Sequence, residues 1–262
     1  MVAEVIVRWS LIALTFAATT CLSHRVAVES HHPRTVPRIA PIQLAFGVMT
    51  YGRESQHVNE TILDFMRLMN LIYEDEFNHI YVLHTDIKSD PLVLKYVDEY
   101  CDVKPNCISI NPRSVTWGGV SVTEMNLALI QAADDFIYSD GKSSSWEYFF
   151  LVGHESLPLA TLRYTEQFLL SYPKGTNFVN CWKASGYDFF GQWETMDYRL
   201  SRVVIDSPRD NVLHETDIER NVPHDFEIYK SLQYVALSRE FARYEFELCS
   251  SFSSPSFCCR PR

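Results

Sequence analysis

Several common nucleotide- and metal-binding signatures are absent from this sequence of 262 residues. No G-x-G-x-x-G and no P-loop segment occurs, so dinucleotide binding and Walker-type nucleotide binding lose their usual support. No H-E-x-x-H segment and no Asp-x-Asp pair occurs, so two common kinds of metal site are not indicated. Basic residues are also few, with 23 Lys and Arg against 33 Asp and Glu. A net charge of −10 without a basic cluster argues against nucleic-acid binding.

The sequence also lacks a serine-hydrolase nucleophile elbow and a zinc-binding cysteine pattern. In VGHES, Val152–Ser156, a glutamate occupies the place of the nucleophile in G-x-S-x-G, and no second glycine follows. The seven cysteines do not have the spacing of zinc ligands. Disulfides are permitted if the chain enters the secretory pathway, and Cys101 with Cys107 would close a short loop.

What the sequence does contain is 47% hydrophobic residues, enough for the core of one large domain or two small ones. Residues 1–28 predict a secretory signal, because Arg8 precedes the uncharged segment WSLIALTFAATTCLS. This segment is shorter than the roughly 20 residues of a membrane-spanning helix, which favours a signal peptide or a short signal anchor over a buried core helix. Residues 29–41 contain three prolines and several charges, as is typical of an extended linker or stem.

Apolar segments with strand and helix periodicity alternate along residues 42–247. Predicted strands are Ile42–Thr50, His79–Thr85, Cys107–Ile110, Trp146–Gly153 and a short one in NFVN at 177–180. Predicted helices are Glu60–Tyr73, Pro91–Tyr100, Ser121–Tyr138 and Thr161–Tyr172. This alternation predicts an α/β fold with a mainly parallel central sheet. Because ligands of such sheets bind at the carboxyl ends of the strands, the loops that follow the strands are the candidate site.

One of these loops, VTWGGVSVTEMNLAL at Val115–Leu129, joins a glycine pair to a helix start. Ser121 and Glu124 have the spacing of a capping box, so we expect Ser121 to cap this helix. The glycines allow positive φ or a close approach of the backbone to another group. Two explanations of Trp117–Gly119 therefore remain open, a tight strand-to-helix turn or a ligand-binding edge.

Asp86 ends a predicted buried strand in LHTDIKSD, and Lys88 follows two residues later. A carboxylate at a strand end accepts hydrogen bonds from a ribose hydroxyl or a base N–H. The alternative is a structural role, as a helix cap or in a salt bridge at the strand end.

Five segments carry an ordered resemblance to a known family. LAFGVMTYGR is similar to I-A-F-x-x-x-x-H-x-R, with Tyr51 in place of His. IYVLHTDIK is similar to Y-x-I-H-V-D-x-K and matches it at His84, Asp86 and Lys88. WGGVSVTEMNLAL is similar to a W-G-G-x-S segment before a helix.

The last two segments of the five lie later in the chain. WEYFFLVGHESLPLAT is similar to W-x-Y-F-I-N-L-S-G-x-D-x-P-I, with Ser156 in place of Asp. YKSLQYVALSREFARY is similar to G-S-x-W-x-x-L-S-R-x-F-V-x-Y, with Ser231-Leu232 in place of Gly-Ser and Tyr234 in place of Trp. Together the segments resemble glycosyltransferase family 14, which includes core-2/I-branching β-1,6-N-acetylglucosaminyltransferases, peptide O-xylosyltransferases and plant glucuronosyltransferases.

The resemblance implies a GT-A-type fold and an inverting transfer of N-acetylglucosamine or xylose from a UDP-sugar to a glycan or protein acceptor. It implies no metal cofactor, and a type II membrane protein of the Golgi or ER, with secretion as the alternative. The donor-binding residues that it implies are Thr50, Tyr51, His84, Asp86, Trp117, Gly118 and Gly119.

The resemblance also implies residues that this chain does not supply. The family's base is a Glu in an S-P-x-E-x-[FY]-like segment after the L-S-R-x-F helix, and we expect it beyond the chain end. Residues 248–262 resemble no family segment, and a shifted reading frame or a retained intron is our hypothesis for them. Glu194 and Arg199 are the nearest acceptor-binding candidates, with surface solvation or a surface ion pair as the alternative. The alternative function is a truncated, catalytically inactive nucleotide-binding fragment.

Overall fold

The computed structural model describes residues 42–52, 57–75, 79–138, 141–183, 202–219, 229–231 and 233–244. The strands are β1 Leu44–Thr50, β2 His79–Thr85, β3 Cys107–Ser109, β4 Tyr148–Gly153, β5 Cys181–Lys183, β6 Arg202–Ser207, β7 Val212–Glu219, β8 Tyr229–Ser231 and β9 Ala236–Ser238. The helices are α1 Val58–Ile72, α2 Pro91–Asp102, α3 Val120–Asp134 and α4 Leu162–Leu170. A helical segment over 239–244 follows β9.

The central sheet has five strands in the order β3-β2-β1-β4-β9. The first four strands are parallel, and β9 pairs antiparallel with β4. Two separate two-stranded sheets join β5 to β8 and β6 to β7. The predicted α/β class with a mainly parallel sheet is therefore confirmed, and the helical crossovers follow from the need of parallel strands for long connections.

Helices cover both faces of the central sheet. Alternate β1 residues such as Phe46 pack with Phe65 of α1, Val97 of α2 and Leu169 of α4. Ala45 faces the other way, into a cluster that includes Leu129 of α3. Because both faces are covered, β2 is buried along its whole length, as is usual for a strand inside a parallel sheet.

The four predicted helices and the first four predicted strands lie where the sequence indicates, with ends that shift by a few residues. The helix predicted to start after Asp90 begins at Pro91, and the Asp90 side chain accepts a hydrogen bond from Leu92 N. The predicted disulfide between Cys101 and Cys107 is present. In NFVN, Phe178 forms an isolated bridge with Ala236 instead of a strand.

The predicted capping box at Ser121 is wrong. Helix α3 begins one residue earlier, at Val120, its N-cap is Gly119, and no side chain caps it in the usual way. The Ser121 hydroxyl instead accepts a hydrogen bond from Thr116 N and donates one to Asp206 of β6. A partner distant in sequence therefore replaces the local one.

Other predictions concern residues that the structure does not describe. The secretory signal at 1–28, the stem at 29–41, the irregular tail at 248–262 and the candidates Glu194 and Arg199 all lie outside the described ranges. In the ranges that are described, no helix has both the length and the apolar character needed to cross a bilayer.

Candidate functional site

Three strand ends lie side by side at one edge of the sheet. The residue pairs Thr50 with Thr85 and Met49 with Gly153 are in register, so β1, β2 and β4 end together. The following residues continue this pairing, since Asp86 N donates to Thr50 O at 3.0 Å and His154 N donates to Met49 O at 2.9 Å. The loops that follow these strands therefore start from one row, as expected for a ligand-binding edge of an α/β sheet.

Asp86 lies in a dense set of contacts at this edge. Its Oδ1 accepts a hydrogen bond from Lys88 N at 2.8 Å, and its Oδ2 accepts one from Val115 N at 3.1 Å. Lys88 Nζ lies 3.2 Å from the same Oδ2. The carboxylate thus stabilises the turn that follows β2 and connects the end of β2 to the segment before α3. Since a carboxylate has about four acceptor positions and three are used, about one remains for a ligand.

Lys88 connects this carboxylate to the β6–β7 hairpin. Its ammonium donates to Val115 O at 2.5 Å and to Pro208 O at 2.9 Å. Ser114 Oγ donates to the same Pro208 carbonyl at 2.7 Å. The turn of the β6–β7 hairpin therefore packs against the loop between β3 and α3, and these hydrogen bonds hold it there. The charge of Lys88, whose side chain is only 10% exposed, is directed inward and balances Asp86.

His84 lies below this edge as a buried hydrogen-bond acceptor. The Nε2 atom of His84 accepts a hydrogen bond from Arg113 N at 3.1 Å, and His84 is only 2% exposed. Burial disfavours the charged imidazole and lowers the pKa of His84 to about 4, although the negative charge of Asp86 acts in the opposite direction. A neutral His84 at pH 7 fixes the position of the loop that holds Val115.

Trp117–Gly119 forms a tight turn against the hairpin. Gly118 has a φ of +76°, which favours glycine. A Cβ on Gly119 would lie 2.2 Å from Asp206 Oδ2, so this position is occupied by the hairpin's carboxylate. Trp117 projects outward, and 84% of it is exposed. The turn explanation accounts for both glycines. A ligand contact of Trp117 stays a prediction.

Asp206 is the residue of this region that the sequence analysis missed. Its Oδ2 accepts hydrogen bonds from Ser121 N at 2.9 Å and from Ser121 Oγ at 2.7 Å. Burial acts to raise the pKa of Asp206, but the nearby Thr116 side chain, the hydrogen bonds from Ser121 and the charge of Lys88 lower it overall. Asp206 lies 85 residues from Ser121 and in no motif, so no local signal marks it.

Thr50 and Thr85 lie in register at the ends of β1 and β2. Each residue is 2% exposed, and neither Oγ1 has a hydrogen-bond partner among the described residues. Tyr51 follows Thr50 and is 40% exposed. The described residues contain no group of three His, Cys, Asp or Glu side chains that is placed to hold a metal ion. The structure therefore brings Thr50, Tyr51, His84 and Asp86 to one edge of the sheet. Trp117–Gly119 follows closely after Val115, whose backbone N–H donates to Asp86.

Comparison with known proteins assigns the family. A sequence model of the Core-2/I-Branching enzyme family matches residues 57–248, which is well over half of the chain. The chain belongs to this family.

Individual relatives are more distant. The N-acetyllactosaminide beta-1,6-N-acetylglucosaminyl-transferase of Homo sapiens is 26% identical over 185 residues, covering 69% of this chain and 42% of that protein. Xylosyltransferase oxt of Drosophila melanogaster is 27% identical over 205 residues, covering 78% of this chain and 20% of that protein. The chain thus spans less than half the length of these curated relatives.

A solved structure of mouse xyloside xylosyltransferase 1 in its apo form is 12% identical, with a TM-score of 0.35, over 82% of this chain and 73% of that one.

Proposed function

We propose that this chain forms the donor-binding part of a glycosyltransferase. The reaction is the transfer of N-acetylglucosamine or xylose from a UDP-sugar to a glycan or protein acceptor, with inversion and without a metal cofactor. Membership of the Core-2/I-Branching enzyme family is the observation that supports this proposal most strongly. The names of its relatives, an N-acetylglucosaminyltransferase and a xylosyltransferase, indicate the two sugars.

The contacts of Asp86 support a nucleoside-binding role. Two backbone N–H groups and the Lys88 ammonium hold this carboxylate in one orientation. A fixed carboxylate at the end of a central strand is suited to accept hydrogen bonds from ribose hydroxyls or from a base N–H. Because its backbone and Lys88 contacts leave about one acceptor position, Asp86 serves the local structure and the ligand together.

We assign no catalytic base among the described residues. An inverting transfer requires a carboxylate that takes the proton of the acceptor hydroxyl, and a useful base has a pKa near the working pH. Glu155, which lies at the same edge, has its pKa lowered to about 2, so it is a poor proton acceptor. The family's Glu base remains an expectation from the resemblance.

We also propose that the protein acts in the secretory pathway, as a Golgi or ER protein held by its N-terminal segment. The Cys101–Cys107 disulfide supports an oxidising compartment. The apolar segment that follows Arg8 supports entry into the pathway.

Calorimetry on the full chain tests the proposed function. We expect UDP, UDP-N-acetylglucosamine or UDP-xylose to bind, GDP to bind much more weakly, and EDTA to leave binding unchanged. Release of UDP from the bound UDP-sugar, accelerated by a glycan or peptide acceptor, would establish transfer. Binding of UDP without turnover would leave an inactive nucleotide-binding domain. Absence of UDP binding would contradict the donor site as well.

Asp86→Ala is the matching variant. We expect it to weaken UDP binding by about 1–3 kcal/mol, the usual effect of losing a hydrogen bond to a charged group. Asp90→Ala, which removes the N-cap of α2 instead, is the control and should lower stability without changing UDP affinity. A folded Asp86→Ala protein that binds UDP as tightly as the wild type would refute this role.

A further inference from the structure

A second polar cluster lies at the carboxyl end of β4. Glu155 Oε1 accepts a hydrogen bond from the Tyr234 hydroxyl at 3.0 Å, and Oε2 lies 3.0 Å from His154 Nδ1. Tyr234 precedes β9, which runs antiparallel to β4, so it arrives at the edge where β4 ends. Neither local sequence nor strand periodicity brings Tyr234 to Glu155, since 79 residues separate them.

The Glu155 carboxylate is oriented but still accessible. It folds back over the strand end, where a Cβ on Gly153 would lie 2.8 Å from each of its oxygens. The Glu155 side chain keeps 34% of its surface exposed, and that of His154 keeps 16%. A ligand at this edge of the sheet can therefore reach the Glu155 carboxylate.

The charge of this cluster selects the chemistry of its ligand. Burial acts to raise the pKa of Glu155, but His154 and the Tyr234 hydroxyl outweigh it and lower the pKa to about 2. The carboxylate therefore stays anionic and accepts hydrogen bonds only. It repels phosphate oxygens and favours hydroxyl groups. Two of its roughly four acceptor positions are used by Tyr234 and His154, which leaves positions for a ligand.

The position of Glu155 relative to Asp86 fits an extended ligand. Strands β2 and β4 flank β1 and end in the same row. Neighbouring strands lie about 4.8 Å apart, so these two strand ends are roughly 10 Å apart. A ligand with its nucleoside at Asp86 reaches Glu155 only with a group beyond the nucleoside.

We propose that Glu155 accepts hydrogen bonds from sugar hydroxyls, and that His154 and Tyr234 are the positioning residues that orient it. This inference rests on the proposed function. The hydroxyls belong either to the sugar of the UDP-sugar donor or to the acceptor sugar, since both present the same chemistry to a carboxylate.

Glu155→Gln separates these two sources in the full-length protein. UDP alone, UDP-N-acetylglucosamine and UDP-xylose are titrated by calorimetry, and an N-acetyllactosamine or a peptide acceptor is then titrated into the protein saturated with UDP. If Glu155 holds the donor sugar, the variant binds UDP normally and the UDP-sugar about tenfold or more weakly. If it holds the acceptor sugar, both donor affinities are unchanged, and the acceptor binds the UDP-saturated variant about tenfold more weakly than the wild type.

Two further variants distinguish a specific effect on binding from a folding defect. Tyr234→Phe keeps the carboxylate and removes one orienting hydrogen bond, so it should shift the same parameter in the same direction by a few-fold, and it decides the question if Glu155→Gln does not fold. Glu99→Gln removes an exposed carboxylate of α2 and should change none of these values.

Three outcomes would overturn the inference. A Glu155→Gln protein with wild-type affinities for the donors and for the acceptor would show that no sugar hydroxyl binds there, while the proposed function stands. Equal loss of affinity for UDP and the UDP-sugars would show that Glu155 supports the nucleotide site and not a sugar. A wild-type protein that binds neither UDP nor a UDP-sugar would overturn the inference together with the proposed function.

Discussion

Gly119→Ala tests whether the hairpin's carboxylate, and not a ligand, explains the second glycine of Trp117–Gly119. The backbone of Gly119, with φ −88° and ψ 170°, is acceptable for alanine, so backbone strain does not enter. The new Cβ would lie 2.2 Å from Asp206 Oδ2, and Asp206 must withdraw. It then loses two hydrogen bonds to Ser121 at the start of α3.

The expected effect follows from those two bonds. Hydrogen bonds to a charged group contribute about 1.5–3 kcal/mol each, and a carboxylate at a helix N-terminus adds about 0.3–1 kcal/mol. Since Asp206 is only partly buried, we expect Gly119→Ala to lower the free energy of unfolding by about 2–3 kcal/mol.

A double-mutant cycle with Asp206→Ala, followed by urea denaturation, measures the coupling. Asp206→Ala alone should lower the free energy of unfolding by a similar amount. In its presence Gly119→Ala meets no carboxylate, so the added change should stay within about 0.5 kcal/mol. Additive effects of the two substitutions would refute the steric explanation.

Three further predictions concern stability. The pKa of His84 is near 6.5 in the unfolded chain and about 4 in the folded protein, so the unfolded chain takes up the proton first as the pH falls. The free energy of unfolding should therefore fall by about 3 kcal/mol between pH 6.5 and 4. His84→Asn should remove that part of the pH dependence in denaturation curves, and an unchanged pH dependence would contradict the prediction. Cys101→Ser opens a disulfide between residues six apart in sequence and should lower the free energy of unfolding by about 2 kcal/mol, an effect absent when both proteins are measured in reductant. Arg239→Lys replaces a guanidinium that donates two hydrogen bonds to Asp134, and it should lower the melting temperature by the equivalent of about 1–2 kcal/mol. Arg243→Lys is the control and should change the melting temperature little, because the Arg243 side chain is 56% exposed. Equal effects of the two substitutions would refute the role of the two hydrogen bonds from Arg239.

Arg239 lies in a segment whose resemblance to the family is visible in the sequence, whereas its structural role is visible only in the structure. The sequence identifies LSREF as a family-like segment. The structure shows Arg239 bonded to Asp134 at the end of α3 and to Ser144 O, with its guanidinium 5.3 Å from the centre of the Trp146 ring. The arginine thus joins β9 to α3 and to the start of β4. Its partner lies 105 residues away, so the pattern alone did not reveal this function.

The carboxyl edge was likewise only partly predictable. The loops after β1 and β2 could be placed in one row because parallel strands end together. The contacts of Lys88 with Pro208 could not be predicted, since the hairpin residue lies 120 residues away and carries no local signal. The sequence marks Glu155 only as the residue in the nucleophile position of a hydrolase motif, because it does not show that Tyr234 contacts it.

The sequence by itself determined the order of strands and helices from β1 to α4, the parallel arrangement of the sheet, the start of α2 at Pro91 and the Cys101–Cys107 pair. Each depends on periodicity or on neighbours a few residues apart, which are properties of short segments. Only the tertiary structure decided that Asp206 displaces the capping box of Ser121 and that Tyr234 orients Glu155. These contacts join segments that are 79 or more residues apart, and their partners are selected by packing of the whole chain and not by local preference.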